Sequence, residues 1–180
     1  MWRLMTFPPA RTITETLEQL VEKEEKLVVV VMHSYGGIVG GTAIPRYLTH
    51  ASRQLEGKKG GVLHLFYYAA FVLPEGASVM GTFAISRTPR QALWESRLIP
   101  QSSLVQTTPT TRAAYEYLPS TYLICEGDQA APAQFQEGFA SLARAKIDHC
   151  SAGHSPMLSQ PGMLGRKIAA VVGKASAGTP

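Results

Sequence analysis

The spacing of apolar residues changes from one stretch of the chain to the next. Ile13, Leu17, Leu20 and Val21 recur at i, i+4, i+7 and i+8. That spacing predicts an amphipathic helix from Ile13 to Lys26. Thr12 with Glu15 three residues on has the form of a capping box at its start. Leu27 to Met32, LVVVVM, is short, β-branched and apolar on both faces, as in a strand inside a covered parallel sheet. Gly36, Gly37, Gly40 and Gly41 follow, which argues against one long buried helix.

Further strands are predicted at Val62–Ala70, Thr121–Cys125 and Ile147–Cys150. Phe135, Phe139, Leu142 and Ala143, after Pro132, repeat the helical spacing. So do Leu164, Ile168, Val171 and Val172, behind Ser159 and Pro161. This alternation predicts an α/β fold, a mostly parallel sheet with flanking helices, in one domain over residues 1–180. Gly76 to Pro119 breaks the pattern with scattered Ser, Thr and Pro, and is read as a cap or lid inserted in that domain. The small-residue tail from Ala175 to Pro180 is expected to fray.

Composition narrows the class. The 180 residues are 45% hydrophobic and 17% charged, enough for one core and unlike a disordered chain. The longest apolar run is far too short to span a bilayer, and MWRLMTFPPA has no secretory pattern, so a cytoplasmic protein with no membrane partner is expected. The net charge of +4 comes from scattered basic residues rather than a stripe with interleaved aromatics, so no nucleic-acid partner is expected. Cys125 and Cys150 read as free buried thiols in a reducing compartment. No motif calls for a cofactor or a metal.

The candidate chemistry lies where the first strand ends, in Met32-His33-Ser34-Tyr35-Gly36-Gly37. A serine on a tight turn between a buried strand and a glycine-opened helix projects its hydroxyl above the sheet. Backbone N–H groups at the helix start, that of Tyr35 first, stand ready to stabilise an oxyanion. The bland alternative is a serine that only caps a helix, and Met32 stands where the G-x-S-x-G pattern has its first glycine.

A nucleophilic serine needs a base, and the base an orienting acid. The chain has only two aspartates. Asp128 follows the strand TYLIC, at the carboxyl end of the sheet where sites gather, whereas Asp148 lies inside the short strand IDHC. Glu126 is a weaker alternative acid. Of five histidines, His154 fits best, in the loop Ser151-Ala-Gly-His154-Ser-Pro after the last strand. His149 and His64 sit within strands and His50 at a helix end, while His33 is expected to point away from the serine. Ser34, Asp128 and His154 thus make a candidate triad, each in a turn or loop after a strand and in the chain order serine, acid, histidine.

At these residues the sequence resembles the small-esterase and hydroxynitrile-lyase branch of the α/β-hydrolase superfamily, particularly its fungal members. HSYGG, YYAAFVLPEGAS, TYLICEGDQAAPAQFQ and AGHSPMLSQP carry the likeness, over about Val28 to Val172. It implies Ser34 as nucleophile, Asp128 as acid and His154 as base. It implies a serine hydrolase acting on a small, apolar ester, thioester or lactone, in secondary metabolism. A lyase or cyclase on the same triad, or an impaired hydrolase-like binding module, are the alternatives. Phe66, Phe71, Phe83 and Trp94 are candidates for an acyl pocket, with aromatic core as the plainer role. Family members carry further strands and a loop with an HG-type motif upstream, which supplies a second oxyanion N–H. The 33 residues before Ser34 hold no such motif. The chain therefore reads as a shortened member, its cap also cut between Phe83 and Pro89. Its elbow strand is then expected to form an edge open to self-association.

Overall fold

The structure, a computed structural model, describes residues 8–82 and 104–178. Four strands form one sheet: β1 Leu27–His33, β2 Gly61–Tyr68, β3 Ser120–Cys125 and β4 Lys146–Cys150. They lie in the order β1-β2-β3-β4, and every neighbouring pair is parallel. Helices cover both faces, which is why β2 and β3 are apolar at successive positions rather than alternating. Leu65 and Tyr67 of β2, with Tyr122 and Ile124 of β3, pack into one core with Leu17, Val21, Met32 and Phe139. Phe66 and Tyr68, with Leu123 and Cys125, pack into the other with Cys150, Ala152 and Leu164. The fold is thus the expected α/β class.

The two outer strands differ. β4 carries Lys146, Asp148 and His149, and charge on an edge discourages further pairing. β1 carries no charge from Leu27 to Met32, and among the described residues no strand pairs with its outer side. Leu27 and Val31 are 44% and 40% exposed there.

Several boundaries depart from the sequence pattern. The first helix, α1, is Pro8–Glu18 and runs on into a π turn at Gln19–Lys23. Thr12 and Glu15 therefore lie inside it rather than at a cap, and Glu15 pairs with Arg11 one turn back. Proline tolerates a helix's first turn, so the helix starts before the capping-box pattern does. β2 ends at Tyr68 rather than Ala70, because Ala69 takes a left-handed conformation, φ 44°. After β1 come α2 Gly36–Ala43 and α3 His50–Leu55. Two single-turn helices, α4 Val79–Thr82 and α5 Leu104–Thr107, flank residues outside the described set, which include Phe83 and Trp94.

Helix α6 spans Ala133–Leu142 and buries Gln136, Phe139 and Ala140. Phe135 is 55% exposed, so the buried stripe is rotated away from the one the large residues predicted. A short helix α7, Pro156–Ser159, precedes α8, Pro161–Ala177. The last helix takes in Ala175, Ser176 and Ala177, so that part of the expected frayed tail is ordered. Alanine needs no tertiary partner to extend a helix already nucleated. The stretch read as a cap leaves and returns at one place. Gly76 N–H donates to Thr110 O at 2.8 Å, Thr110 N–H to Ala77 O at 2.8 Å, and the Thr110 hydroxyl to Pro74 O at 2.5 Å.

Candidate active site

Ser34 sits between β1 and α2 with φ 52°, a left-handed conformation for a residue that carries a side chain. Such a conformation costs about 1–3 kcal/mol and persists only where its surroundings over-determine it. Here they do. Ser34 N–H donates to Ala69 O at 3.2 Å, and Ser34 O accepts from Gly37 N–H at 3.1 Å and Phe71 N–H at 3.0 Å. The intervening Ala70 is held in turn by Tyr122, whose buried hydroxyl accepts from Ala70 N–H at 3.0 Å and donates to Ala70 O at 2.5 Å. Close approach of α2 to the sheet completes the turn. A β-carbon on Gly37 would lie 2.3 Å from Phe71 O, and one on Gly40 would lie 2.6 Å from the Met32 sulfur.

Asp128 lies in the turn after β3. Its Oδ1 accepts from Ala130 N–H at 2.8 Å and Ala131 N–H at 3.0 Å. Its Oδ2 accepts from His154 Nδ1 at 2.8 Å. A buried carboxylate is costly unless its oxygens accept hydrogen bonds. Gln136, fully buried on α6, adds another through Nε2 at 3.3 Å. The same amide nitrogen reaches Ala131 O at 2.6 Å and Cys125 O at 3.1 Å, while Gln136 Oε1 accepts from Cys125 N–H at 2.9 Å. One side chain thereby ties the end of β3 to the Asp128 turn.

His154 lies in the loop after β4. That loop is bound to the Asp128 turn by Glu126 N–H to Cys150 O at 2.9 Å and Gly127 N–H to Ala152 O at 3.0 Å. With Nδ1–H given to the carboxylate, Nε2 is bare and accepts from the Ser34 hydroxyl at 3.1 Å. Ser34, His154 and Asp128 thus form one chain of hydrogen bonds across the carboxyl end of the sheet. Tyr35 takes the N-cap position of α2, with φ −59° and ψ −22°, next to the serine.

The remaining candidates lie elsewhere. Glu126 pairs with His149 at 3.2 Å, and Asp148 with Lys167 at 2.7 Å. His64 bonds Thr121 Oγ1 at 2.9 Å, and His50 bonds Gly60 O at 3.0 Å. Phe66 is core, and Phe71 packs edge-on against Phe139 at 5.8 Å. Cys125 and Cys150 are free, buried and opposite each other in register, with sulfurs 3.6 Å apart. Burial and the neighbouring thiol push Cys125 up to about 12, which leaves little thiolate at neutral pH. Among the described residues no group of three or more His, Cys, Asp or Glu could hold a metal. No helix among them is long and apolar enough to cross a membrane.

His33 borders the site through His154. Its Nε2 lies 2.7 Å from His154 O, and its ring lies 4.8 Å from the His154 ring. His33 shares the sheet face of Val29 and stacks on Tyr68 of the same core, so strand alternation holds to the end of β1. Gln136 and Tyr122 also escaped the sequence pattern. The one available signal was a polar residue on the helical stripe that ends at Phe139 and Ala140. For Tyr122, an aromatic inside an apolar strand, there was none.

Residues 3–164 match the family described as the alpha/beta hydrolase family. An alpha/beta hydrolase, nvfD, of Aspergillus novofumigatus is 31% identical over an alignment 216 positions long that covers 96% of this chain and 83% of that protein. A probable hydrolase, R7, of a Phoma species is 26% identical, covering 92% of this chain and 80% of its own. A pyrethroid hydrolase from Sphingobium faniae superposes with a TM-score of 0.63 at 17% identity, over 97% of this chain and 80% of that one. Polyneuridine aldehyde esterase superposes with a TM-score of 0.55 at 16% identity, over 88% and 78%. With an all-parallel sheet, a left-handed serine at the end of its first strand and a match over most of its length, the chain belongs to the alpha/beta hydrolase family and is a hydrolase.

Proposed function

We propose that the chain hydrolyses a small, apolar ester, thioester or lactone through Ser34, His154 and Asp128, as an enzyme of secondary metabolism. The observation that carries this is the pair of contacts at His154, 3.1 Å to Ser34 Oγ and 2.8 Å to Asp128 Oδ2. His154 Nε2 takes the Ser34 proton as Oγ attacks the carbonyl carbon. Asp128 holds the required tautomer and balances the imidazolium. Tyr35 N–H stabilises the oxyanion. His154 then protonates the leaving group, and water activated by the same base releases the acyl group. The insertion over residues 76–119 would cover the substrate.

The test is labelling with a fluorophosphonate, followed by a panel of small esters, thioesters and lactones. Ser34 should be the serine modified. Ser34→Ala and His154→Ala should each remove most turnover, and the double variant should be little worse, because the residues act as a unit. Labelling of another serine, unaffected by Ser34→Ala, would overturn the assignment. We also propose that a second copy of the chain pairs along the uncharged outer side of β1.

A further inference from the structure

Ser34 and His154 are 120 residues apart, and their turns leave different strands of the sheet. A 3.1 Å contact between them needs something besides that contact to hold the two turns at a set distance. The Asp128 turn fixes the His154 loop to β3, but β3 is two strands away from β1. His33 spans this gap. It is the last residue of β1 and the neighbour of Ser34. Its ring stacks on Tyr68, its partner in register on β2, at 4.9 Å and 22°. Its Nε2 then reaches 2.7 Å to the carbonyl oxygen of His154 itself.

We propose that His33 is a positioning residue, a neutral strap that sets the Ser34–His154 distance; this rests on the Ser34–His154–Asp128 reading above. A carbonyl oxygen can only accept, so His33 carries a proton on Nε2, and in the neutral ring Nδ1 is then bare. In that tautomer the ring has no charge to oppose the imidazolium that forms on His154, 4.8 Å away. The groups that face His33 are Tyr68, His154 and, beyond His154, Asp128. Partial burial lowers its proton affinity, and the nearby His154 adds to this. The bond to the His154 carbonyl and the charge of Asp128 work in the opposite sense, and the net direction is down. His33 therefore stays neutral at neutral pH. It touches neither Ser34 Oγ nor a reacting atom, so it acts through His154 and is not a base in its own right.

Two variants separate strap from filler. His33→Phe keeps a stacking ring and loses the donor. His33→Gln loses the ring and keeps an N–H able to reach a carbonyl. In the full chain, ring-nitrogen NMR should show His33 as the Nε2–H tautomer at neutral pH. The His154 Nδ1–H signal, shared with Asp128, should broaden or move in His33→Phe and stay near its original place in His33→Gln. The rate of fluorophosphonate labelling, or kcat on an ester that turns over, should fall about 10- to 100-fold in His33→Phe, the scale of a small misplacement of reacting groups. KM should hold, and His33→Gln should recover most of the loss. A cationic or Nδ1–H His33 overturns the proposal, as does an unchanged His154 signal in His33→Phe. If Ser34 labels and His33→Phe labels as fast as the unaltered chain, the strap is likewise refuted. Should no serine label at all, the catalytic reading fails, and the NMR signals alone decide whether the strap exists.

Discussion

Gly37→Ala isolates how tightly the serine turn is built. The new β-carbon would lie 2.3 Å from Phe71 O and 3.2 Å from the Ala70 β-carbon. Ordinary carbon contacts need at least about 3.4 Å, so the backbone must yield by about 1 Å. Neither neighbour is a flexible side-chain end. Phe71 N–H holds Ser34 O, and both groups of Ala70 are held by Tyr122. Over-packing of this kind costs about 1–3 kcal/mol. Alanine recovers about 1 kcal/mol of helix propensity relative to glycine. Gly41→Ala is the matched control, since a β-carbon there meets nothing within 4 Å on the same helix. Gly41→Ala should be neutral or stabilising by up to about 1 kcal/mol. Gly37→Ala should be about 2 kcal/mol worse than that control, which is about 4–8 °C in Tm for a domain of this size. Paired thermal melts and urea midpoints read the difference. Labelling of Ser34 by a fluorophosphonate should also slow in Gly37→Ala alone. Equal melting of the two variants would refute the claim that close backbone approach at Gly37 sets the turn.

Asp128→Asn should lower turnover by roughly three to four orders of magnitude, the scale seen when a triad histidine loses its orienting acid. Asp148→Asn loses only a partly exposed pair with Lys167, worth at most about 1 kcal/mol, and should leave turnover unchanged; steady-state rates at matched stability, with Glu126→Gln as control, decide. Burial holds both His33 and His64 below the ordinary histidine value of 6.5, so below that value the unfolded chain binds more protons than the folded one. Stability should therefore be level above pH 6.5 as far as these groups are concerned and fall as pH drops below it, with His64→Gln flattening part of the slope in urea midpoints taken from pH 8 to 5. If β1 pairs with a second copy, light scattering should show an apparent mass that falls on dilution. Val31→Lys, at a position already 40% exposed, should then give a monomer with an unchanged melt; a wild-type chain monomeric at every concentration would rule the pairing out.

Local pattern was enough for the parts of this chain whose physics is local. The apolar run of β1, the helical stripes and the glycines after Ser34 are properties of neighbouring residues, and they placed Ser34, Asp128 and His154 each in a turn at the end of a strand. Position just after a strand rather than inside one narrowed the acid to one of two aspartates. What the pattern could not reach depends on distance in space. The Ser34–His154 contact spans 120 residues and exists only because four parallel strands bring their carboxyl ends together. Gln136 supports Asp128 because α6 turns a polar side chain into the core, leaving Phe135 outside, and that rotation is set by packing against β3 rather than by hydrophobicity. His33 meets His154 because the sheet brings the end of β1 beside the loop after β4, and the serine turn that follows His33 is held by Ala69, Phe71 and Gly37. Hydrophobic period reports which side of an element is buried. Hydrogen bonds between distant turns, and the backbone strain they hold in place, come into being only when the sheet closes.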